Sequence, residues 1–266
     1  MADLKWIGLF ALGLVPVADG AFAGGSPPEK VVASIDLSKP FATRSPWRLT
    51  ATQGPEIADP TGMEGVVPGP ILACLRKGGD QSCSSDLGKP LHVGRESDLF
   101  DEPHFLQTAQ VVRPRGPSAR ALLLVQLASV QSADGDQRVA TQLLAYDRAR
   151  DGFVAVFTHV TGRNNNQEVR YIDKGPLRGA VVTAEPTENA PFGYWIAVNA
   201  LTPAYGYRQT LRYRSATRYG DGNPLAAIDS EMPNIQQHLG LWRPGKPLPV
   251  PKGCAKPRLL KMELWC

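Results

Sequence analysis

A run of polar side chains that could hydrogen-bond a ligand separates two apolar segments near the middle of the sequence. Its members supply one guanidinium, four amides and one carboxylate: Arg163, Asn164, Asn165, Asn166, Gln167 and Glu168. Such groups can bind a sugar, a peptide backbone or a carboxylate. Asparagine also satisfies its own backbone in tight turns, so a purely structural role for the run stays open. We predict a polar loop held between two strands, and it is the first candidate ligand-binding surface.

Carboxylates elsewhere suggest two other kinds of chemistry. Asp221 and Asn223 occupy a Gly-Asp-Gly-Asn turn, and oxygen ligands on such a turn suit Ca²⁺. The complete EF-hand pattern is absent, so a hairpin turn is the competing interpretation, and no other cofactor is predicted. Glu168, Glu185 and Asp229 could supply the carboxylate pair of a glycoside hydrolase, which requires a separation of roughly 5–10 Å.

Motifs of common enzymes are missing from the sequence, which contains no G-x-S-x-G, H-E-x-x-H, G-x-G-x-x-G or P-loop pattern. The histidines, His92, His104, His159 and His238, are far apart and lack metal-ligand spacing. No catalytic residue is therefore assigned. The first hypothesis is a non-enzymatic binding or envelope-associated protein that recognises a polar ligand or an envelope component. The alternative is a hydrolase of envelope glycans or peptides.

Aromatic residues are concentrated after the polar run. They are Phe192, Tyr194, Trp195, Tyr205, Tyr207, Tyr213 and Tyr219. Aromatic side chains of strands usually pack in the core. Any that line a groove beside the polar loop could instead stack on a sugar or bind a peptide.

Residues 1–23 have the three parts of a secretory signal. Lys5 supplies positive charge, Trp6–Ala18 forms an apolar core, and Ala21-Phe-Ala23 is a small-residue cleavage site. The apolar core has about 13 residues, fewer than the ~20 that cross a membrane. We expect a periplasmic or secreted protein without a transmembrane anchor after cleavage.

The charge of the chain argues against a nucleic-acid partner. The formal net charge is +4, and the basic residues are scattered along the sequence rather than grouped in a run. This distribution is typical of a solvated surface.

The four cysteines fit an oxidising compartment. Three connectivities are possible, and we predict the local pairs Cys74–Cys83 and Cys254–Cys266 because each closes a short loop. A zinc site is the alternative, but the sequence has no C-x-x-C and no suitably spaced histidine.

Short apolar segments separated by Gly and Asp-Gly turns predict a mostly β fold of antiparallel meander sheets, as a sandwich or an incomplete propeller. One short C-terminal helix is predicted from Pro233 to Gly240, and a turn and a strand are predicted over residues 219–229. The expected organisation is a signal peptide at 1–23, a linker with a possible edge strand at 24–46, a β domain at 47–250 and a disulfide-tied tail at 251–266. Residues 194–216 resemble residues 122–149, so an internal repeat is an open alternative.

Three stretches resemble uncharacterised exported proteins of proteobacteria: Thr161–Tyr171, Ala190–Tyr194 and Tyr219–Asn223. The resemblance covers most of the mature chain and implies no particular activity. The pair Tyr146-Asp147, followed by a turn and a Phe-Val strand, is also similar to blades of FG-GAP-type propellers. Those blades carry fuller Asp-rich calcium loops, and a closed propeller needs about four or more blades.

Export predicts a shortened chain. Cleavage after Ala23 would leave 266 − 23 = 243 residues that begin at Gly24. Edman sequencing or intact mass of the exported protein measures this directly. An exported chain that still begins at Met1 would contradict the signal peptide.

Overall fold

Strands with apolar residues on one or both faces, joined by tight turns, form three four-stranded antiparallel sheets. The computed structural model describes residues 29–62, 65–80, 82–92, 101–116, 119–133, 135–162, 167–188 and 192–266. In these ranges the chain is mostly β, which confirms the predicted fold class.

The three sheets follow one another along the chain. The first sheet has the order β1-β2-β5-β6, with strands Lys30–Asp36, Trp47–Gln53, Ile71–Lys77 and Ser85–Asp86. The middle sheet has the order β7-β8-β9-β10, with strands Phe105–Val112, Leu122–Ala128, Val139–Asp147 and Gly152–Val160. The third sheet has the order β11-β12-β13-β14, with strands Glu168–Tyr171, Val181–Pro186, Gly193–Leu201 and Tyr207–Arg218.

Smaller elements complete the fold. They are the helix α1 at Ser38–Phe41, the strand pair β3 at Ile57–Ala58 and β4 at Val66–Val67, and a 3₁₀ helix at Lys89–His92. Near the C-terminus lie α2 at Ala227–Ser230, α3 at Met232–His238, and the hairpin of β15 at Arg258–Leu260 and β16 at Glu263–Trp265. None of the helices in the described ranges has the length and apolar character needed to cross a bilayer.

The middle sheet is buried on both faces. On one face Leu123 and Val125 belong to a buried cluster with Leu49 of the first sheet. On the other face Leu122 belongs to a second cluster with Val181 of the third sheet. The three sheets are therefore stacked face to face, and the continuous apolar run of β8 follows from its position in the centre.

Helices α2 and α3 cover the outer face of the third sheet. Ile228 and Ile235 of the helices pack against Val182 and Ile196 of the sheet, and all four side chains are fully buried. The predicted helix is α3, which has Pro233 in its first turn and is followed by Gly240 at φ +68°.

One prediction about local structure needs correction, and one open alternative can be compared with the sheets. Residues 227–230 form α2 rather than a strand, because the helix buries Ala227 and Ile228 against the sheet. The two similar stretches, residues 122–149 and 194–216, do not form equivalent strands of their sheets. β8 and β9 are the second and third strands of their sheet, whereas β13 and β14 are the third and fourth.

The described part of residues 24–46 contains β1, which is an edge strand of the first sheet. The pairs Cys74–Cys83 and Cys254–Cys266 are both formed, with Cα–Cα distances of 5.5 and 5.3 Å, which confirms the predicted local disulfides.

Asp151 connects the first and middle sheets from the β9–β10 turn. Its carboxylate accepts hydrogen bonds from Ser45 Oγ at 2.6 Å, Tyr146 OH at 2.5 Å and Trp47 Nε1 at 3.3 Å. Lys77 Nζ lies 2.8 Å away as its ion-pair partner. The hydrogen bond from Lys77, followed by those from Ser45 and Tyr146, holds the pKa of Asp151 far below its usual range.

Replacing Asp151 by Asn tests this connection. Asn tolerates the positive φ of +47° at this position, so the substitution removes the charge with little backbone penalty. The wild-type carboxyl is more acidic in the folded state, so its stabilisation is complete above the unfolded pKa of about 3.9 and is lost as the pH falls below it.

We expect Asp151→Asn to lower the urea midpoint at pH 7, and the difference from wild type to shrink below about pH 4. Asp173→Asn, at an exposed acid, is the matched control. Equal midpoints for Asp151→Asn and wild type at pH 7 would contradict a connecting role.

Candidate functional site

The predicted polar loop joins two different sheets. β10 ends the middle sheet and β11 begins the third, so the loop is a crossover and not the tip of a hairpin. Gln167 Oε1 accepts the backbone N–H of Gly162 at 3.0 Å and closes the base of the loop. The predicted ligand-binding residues Arg163, Asn164, Asn165 and Asn166 lie outside the described residues.

Glu168 points to the helical side of the third sheet and caps α2. Its carboxylate accepts the backbone N–H groups of Ala227 at 2.6 Å and Ile228 at 3.3 Å. Arg170 bridges Glu168 at 3.3 Å and Asp229 at 2.5 Å. Burial raises the pKa of Glu168, and the Arg170 charge opposes this rise. This carboxylate therefore attaches a helix to a sheet.

The carboxylates nominated for glycoside hydrolysis do not converge. Glu168 pairs with Ala184 in the β11–β12 register, and Ala184 belongs to the helix-side cluster. Glu185 is the next residue of β12, so the strand alternation directs it to the opposite face. The sheet itself thus separates Glu185 from Glu168 and Asp229.

Glu168 shares a small pocket with the predicted Ca²⁺ turn. The pocket has a volume of about 360 Å³, and Tyr194, Asp221 and Asn223 also line it. Asp221 accepts the N–H of Asn223 at 2.8 Å, and the amide of Asn223 donates to Ser230 Oγ at 2.8 Å and to the Leu264 carbonyl at 2.9 Å.

These contacts describe a turn that fastens the C-terminal hairpin to α2. Among the described residues, no three His, Cys, Asp or Glu side chains are grouped as a metal ion would require. The geometry therefore adds no support to the Ca²⁺ hypothesis.

The opposite face of the third sheet carries a row of partly exposed side chains beside β10, which we call the β10–β14 groove. It consists of Phe157, His159, Glu185, Trp195, Tyr207, Arg212 and Arg214. The register places Glu185, Trp195 and Arg214 in one row across β12, β13 and β14. β10 is the edge strand of the middle sheet, so it covers the start of this row but leaves Trp195 and Arg214 accessible.

One side of the groove is formed by β10. His159 Nε2 lies 3.6 Å from Glu185 Oε1. The Phe157 ring stacks on His159 at 6.4 Å between centroids and meets Tyr207 edge-on at 5.5 Å. Burial lowers the pKa of His159 below 6.5, and the Glu185 charge opposes that change.

The other side of the groove is an exposed tryptophan. Trp195 keeps 37% of its surface accessible, and the Arg212 guanidinium lies 4.4 Å from the ring centroid. This cation–π contact places the guanidinium over one face of the indole ring, so the accessible part of the ring lies beside a cluster of hydrogen-bond donors. Such a combination suits a ligand with one flat face and polar edges.

The sequence contained only a partial signal for this groove. The concentration of aromatic residues marked the region, but Tyr194 and Tyr213 pack in the helix-side core while Trp195 faces outward. Strand alternation between Tyr194 and Trp195 separates these roles, and it depends on which face the helices cover.

Other histidines have structural contacts. His104 Nδ1 lies 2.7 Å from the Pro68 carbonyl oxygen, and the His238 ring packs 4.6 Å from that of Tyr213.

Comparisons with protein-family models, with curated proteins and with solved structures each found no match. The function must therefore be argued from the groove itself.

The His159–Glu185 contact predicts a measurable coupling. Replacing Glu185 by Gln removes the negative charge that favours the protonated imidazole, so the pKa of His159 should fall further. NMR titration of the imidazole ring protons measures the change. Glu188→Gln, at an exposed acid in the same segment, should leave the titration unchanged. An unchanged or raised His159 pKa in Glu185→Gln would contradict the described geometry.

Proposed function

We propose that this chain is an exported, non-enzymatic binding protein whose ligand lies on the β10–β14 groove. The observation that carries the proposal is Trp195, a large aromatic side chain exposed on a sheet face and flanked by Arg212. Most large apolar side chains of the three sheets are buried between layers, so an exposed tryptophan among polar neighbours indicates a contact surface.

Two features support export. The first 23 residues have the pattern of a secretory signal. The two disulfides suit an oxidising compartment outside the cytoplasm. Together they favour a periplasmic or secreted protein, where ligands include envelope glycans and peptides.

The groove supports binding rather than catalysis. His159 faces Glu185, and among the described residues no histidine is hydrogen-bonded to a serine, threonine or cysteine that could act as nucleophile. The carboxylates considered for glycoside hydrolysis lie on opposite faces of the third sheet, and two of them hold Arg170. A hydrolase would need such groups to converge around one bond.

A saccharide or peptide segment suits the groove because each presents a flat face and hydrogen-bonding edges. The flat face can stack on the part of the Trp195 ring that Arg212 leaves accessible, while the Arg212 guanidinium and the Glu185 carboxylate bind the edges. Asn199 and Gln209 lie opposite each other in the next part of the β13–β14 register and extend the polar surface.

An array of glycans and peptides tests the proposal. We expect Trp195→Leu to lower the affinity for the ligands that the wild-type protein binds on the array by roughly tenfold, because the stacking surface is removed. Phe192→Leu is the matched control, since Phe192 is an exposed aromatic residue near the same strand. Mass spectrometry of the recovered ligand should show no cleavage product.

Unchanged binding by Trp195→Leu would contradict the placement of the ligand on the groove. Release of a cleaved product, dependent on the protein, would contradict the non-enzymatic assignment.

A further inference from the structure

The last strand of the third sheet gathers arginines that are separated in the sequence. β14 carries Arg208, Arg212, Arg214 and Arg218, and all four are exposed. Arg212 lies opposite Ala197 and Arg218 opposite Gly193, so the two arginines are four β13 residues apart, which corresponds to about 13 Å along an extended strand. Arg212, Arg214 and Arg218 thus mark a track that is longer than a single sugar, whereas Arg208, opposite Ala200, lies on the other face of the sheet.

A cavity lies next to this row of arginines. It lies between the β13–β14 edge and the C-terminal hairpin, has a volume of about 970 Å³, and contains three cationic side chains, Arg214, Arg218 and Lys261. We call it the basic cleft. Among the described residues, none of these cations forms an ion pair within 4 Å. All three are exposed residues, so their charges are accessible to a ligand, although the Lys261 charge also acts on the Glu263 carboxyl group.

Arg214 connects the basic cleft with the β10–β14 groove. It is the register partner of Trp195, and it also lines the cleft. The strand pairing is irregular between Gly193 and Trp195, and the Arg214 Nε atom lies 3.9 Å from the position a Cβ would take at Gly193. The Arg214 guanidinium therefore lies beside the backbone of Gly193.

Each end of the track has an aromatic surface next to an arginine. Trp195 has Arg212 at 4.4 Å from its ring centroid, and Trp265, which lines the cleft, has Arg258 at 5.8 Å. Aromatic rings bind the faces of sugar units, while guanidinium groups bind carboxylates through paired hydrogen bonds.

Two acidic side chains also line the cleft. Asp221 already accepts backbone N–H groups from Arg218 and Asn223. Glu263 is nearly buried, and burial together with the charges of Asp221 and Glu231 raises its pKa. A sugar chain offers hydroxyl donors to these carboxyl groups, whereas a DNA or polyphosphate backbone offers none.

We infer that the β10–β14 groove and the basic cleft together bind a linear oligosaccharide that carries carboxylates, of the uronic-acid class. This inference rests on the proposed binding function and specifies its ligand. The sugar faces stack on the two tryptophans, and the carboxylates pair with Arg214, Arg218 and Lys261.

A charged glycan and its uncharged ester provide the test. Isothermal titration of the exported protein uses a galacturonic acid hexamer and the fully methyl-esterified hexamer, which keeps the rings but loses the charges. We expect the acid to bind at least tenfold more tightly than the ester, because charge-assisted hydrogen bonds are among the strongest available.

Substitutions in the basic cleft test whether its cations bind the carboxylates. Lys261→Gln and Arg218→Gln should each lower the affinity for the galacturonic acid hexamer by about fivefold to tenfold and leave the affinity for the ester unchanged. Lys252→Gln, at an exposed lysine in the preceding loop, is the control. Thermal melts of each variant confirm that the fold is retained, and the second cleft variant keeps the test valid if one of them unfolds.

The outcomes separate this inference from the proposed function. Equal affinities for acid and ester, with both lost in Trp195→Leu, would overturn the carboxylate inference and support the binding groove. If neither hexamer binds, the inference that the ligand is a uronic-acid oligosaccharide is overturned. The array of glycans and peptides then tests on its own whether the β10–β14 groove binds a ligand. An oligodeoxynucleotide that binds as tightly as the acid and is weakened by the same variants would also overturn it, because charge alone would then be recognised.

Discussion

The two-sided burial of the middle sheet is the constraint on which the rest of the structure depends. Leu122 and Leu123 point to opposite faces, and both are completely buried, so neither face of β8 can be left in water. Burying a leucine side chain contributes roughly 1.5–3 kcal/mol, and β8 buries apolar side chains along most of its length. The first and third sheets must therefore cover it, and Asp151 fixes one of these sheets at the turn where the layers meet.

The groove is a consequence of how far the middle sheet extends over the third. His159, on the edge strand, reaches Glu185, and the next side chain in that row is the exposed Trp195. On the opposite face of the same sheet, helices α2 and α3 bury the neighbouring residue Ile196. One strand thus contributes alternately to a core and to the proposed binding surface, and no separate loop is needed to create that surface.

The fold class was predictable because the signals were local. Apolar segments between Asp-Gly turns gave the strands, and short spacing gave the cysteine pairs. The candidate site was harder because it depends on register between distant segments. Arg214 and Lys261 are unremarkable in a sequence with scattered charge, and only the return of the C-terminal hairpin to β14 brings them to one cavity. Residues 225–228 look like a strand, but the carboxylate of Glu168, nearly 60 positions earlier, caps them as a helix.

The position of β14 at the outside of its sheet has a consequence for solubility. An outer strand presents backbone donors and acceptors along one side, which is a template for unwanted pairing with another chain. Natural sheets discourage such pairing by placing charge on these strands, and β14 carries four arginines in twelve residues. The arginines proposed to hold a ligand thus lie on the strand where charge also discourages pairing with another chain, so neutral residues there would leave this edge more open to aggregation.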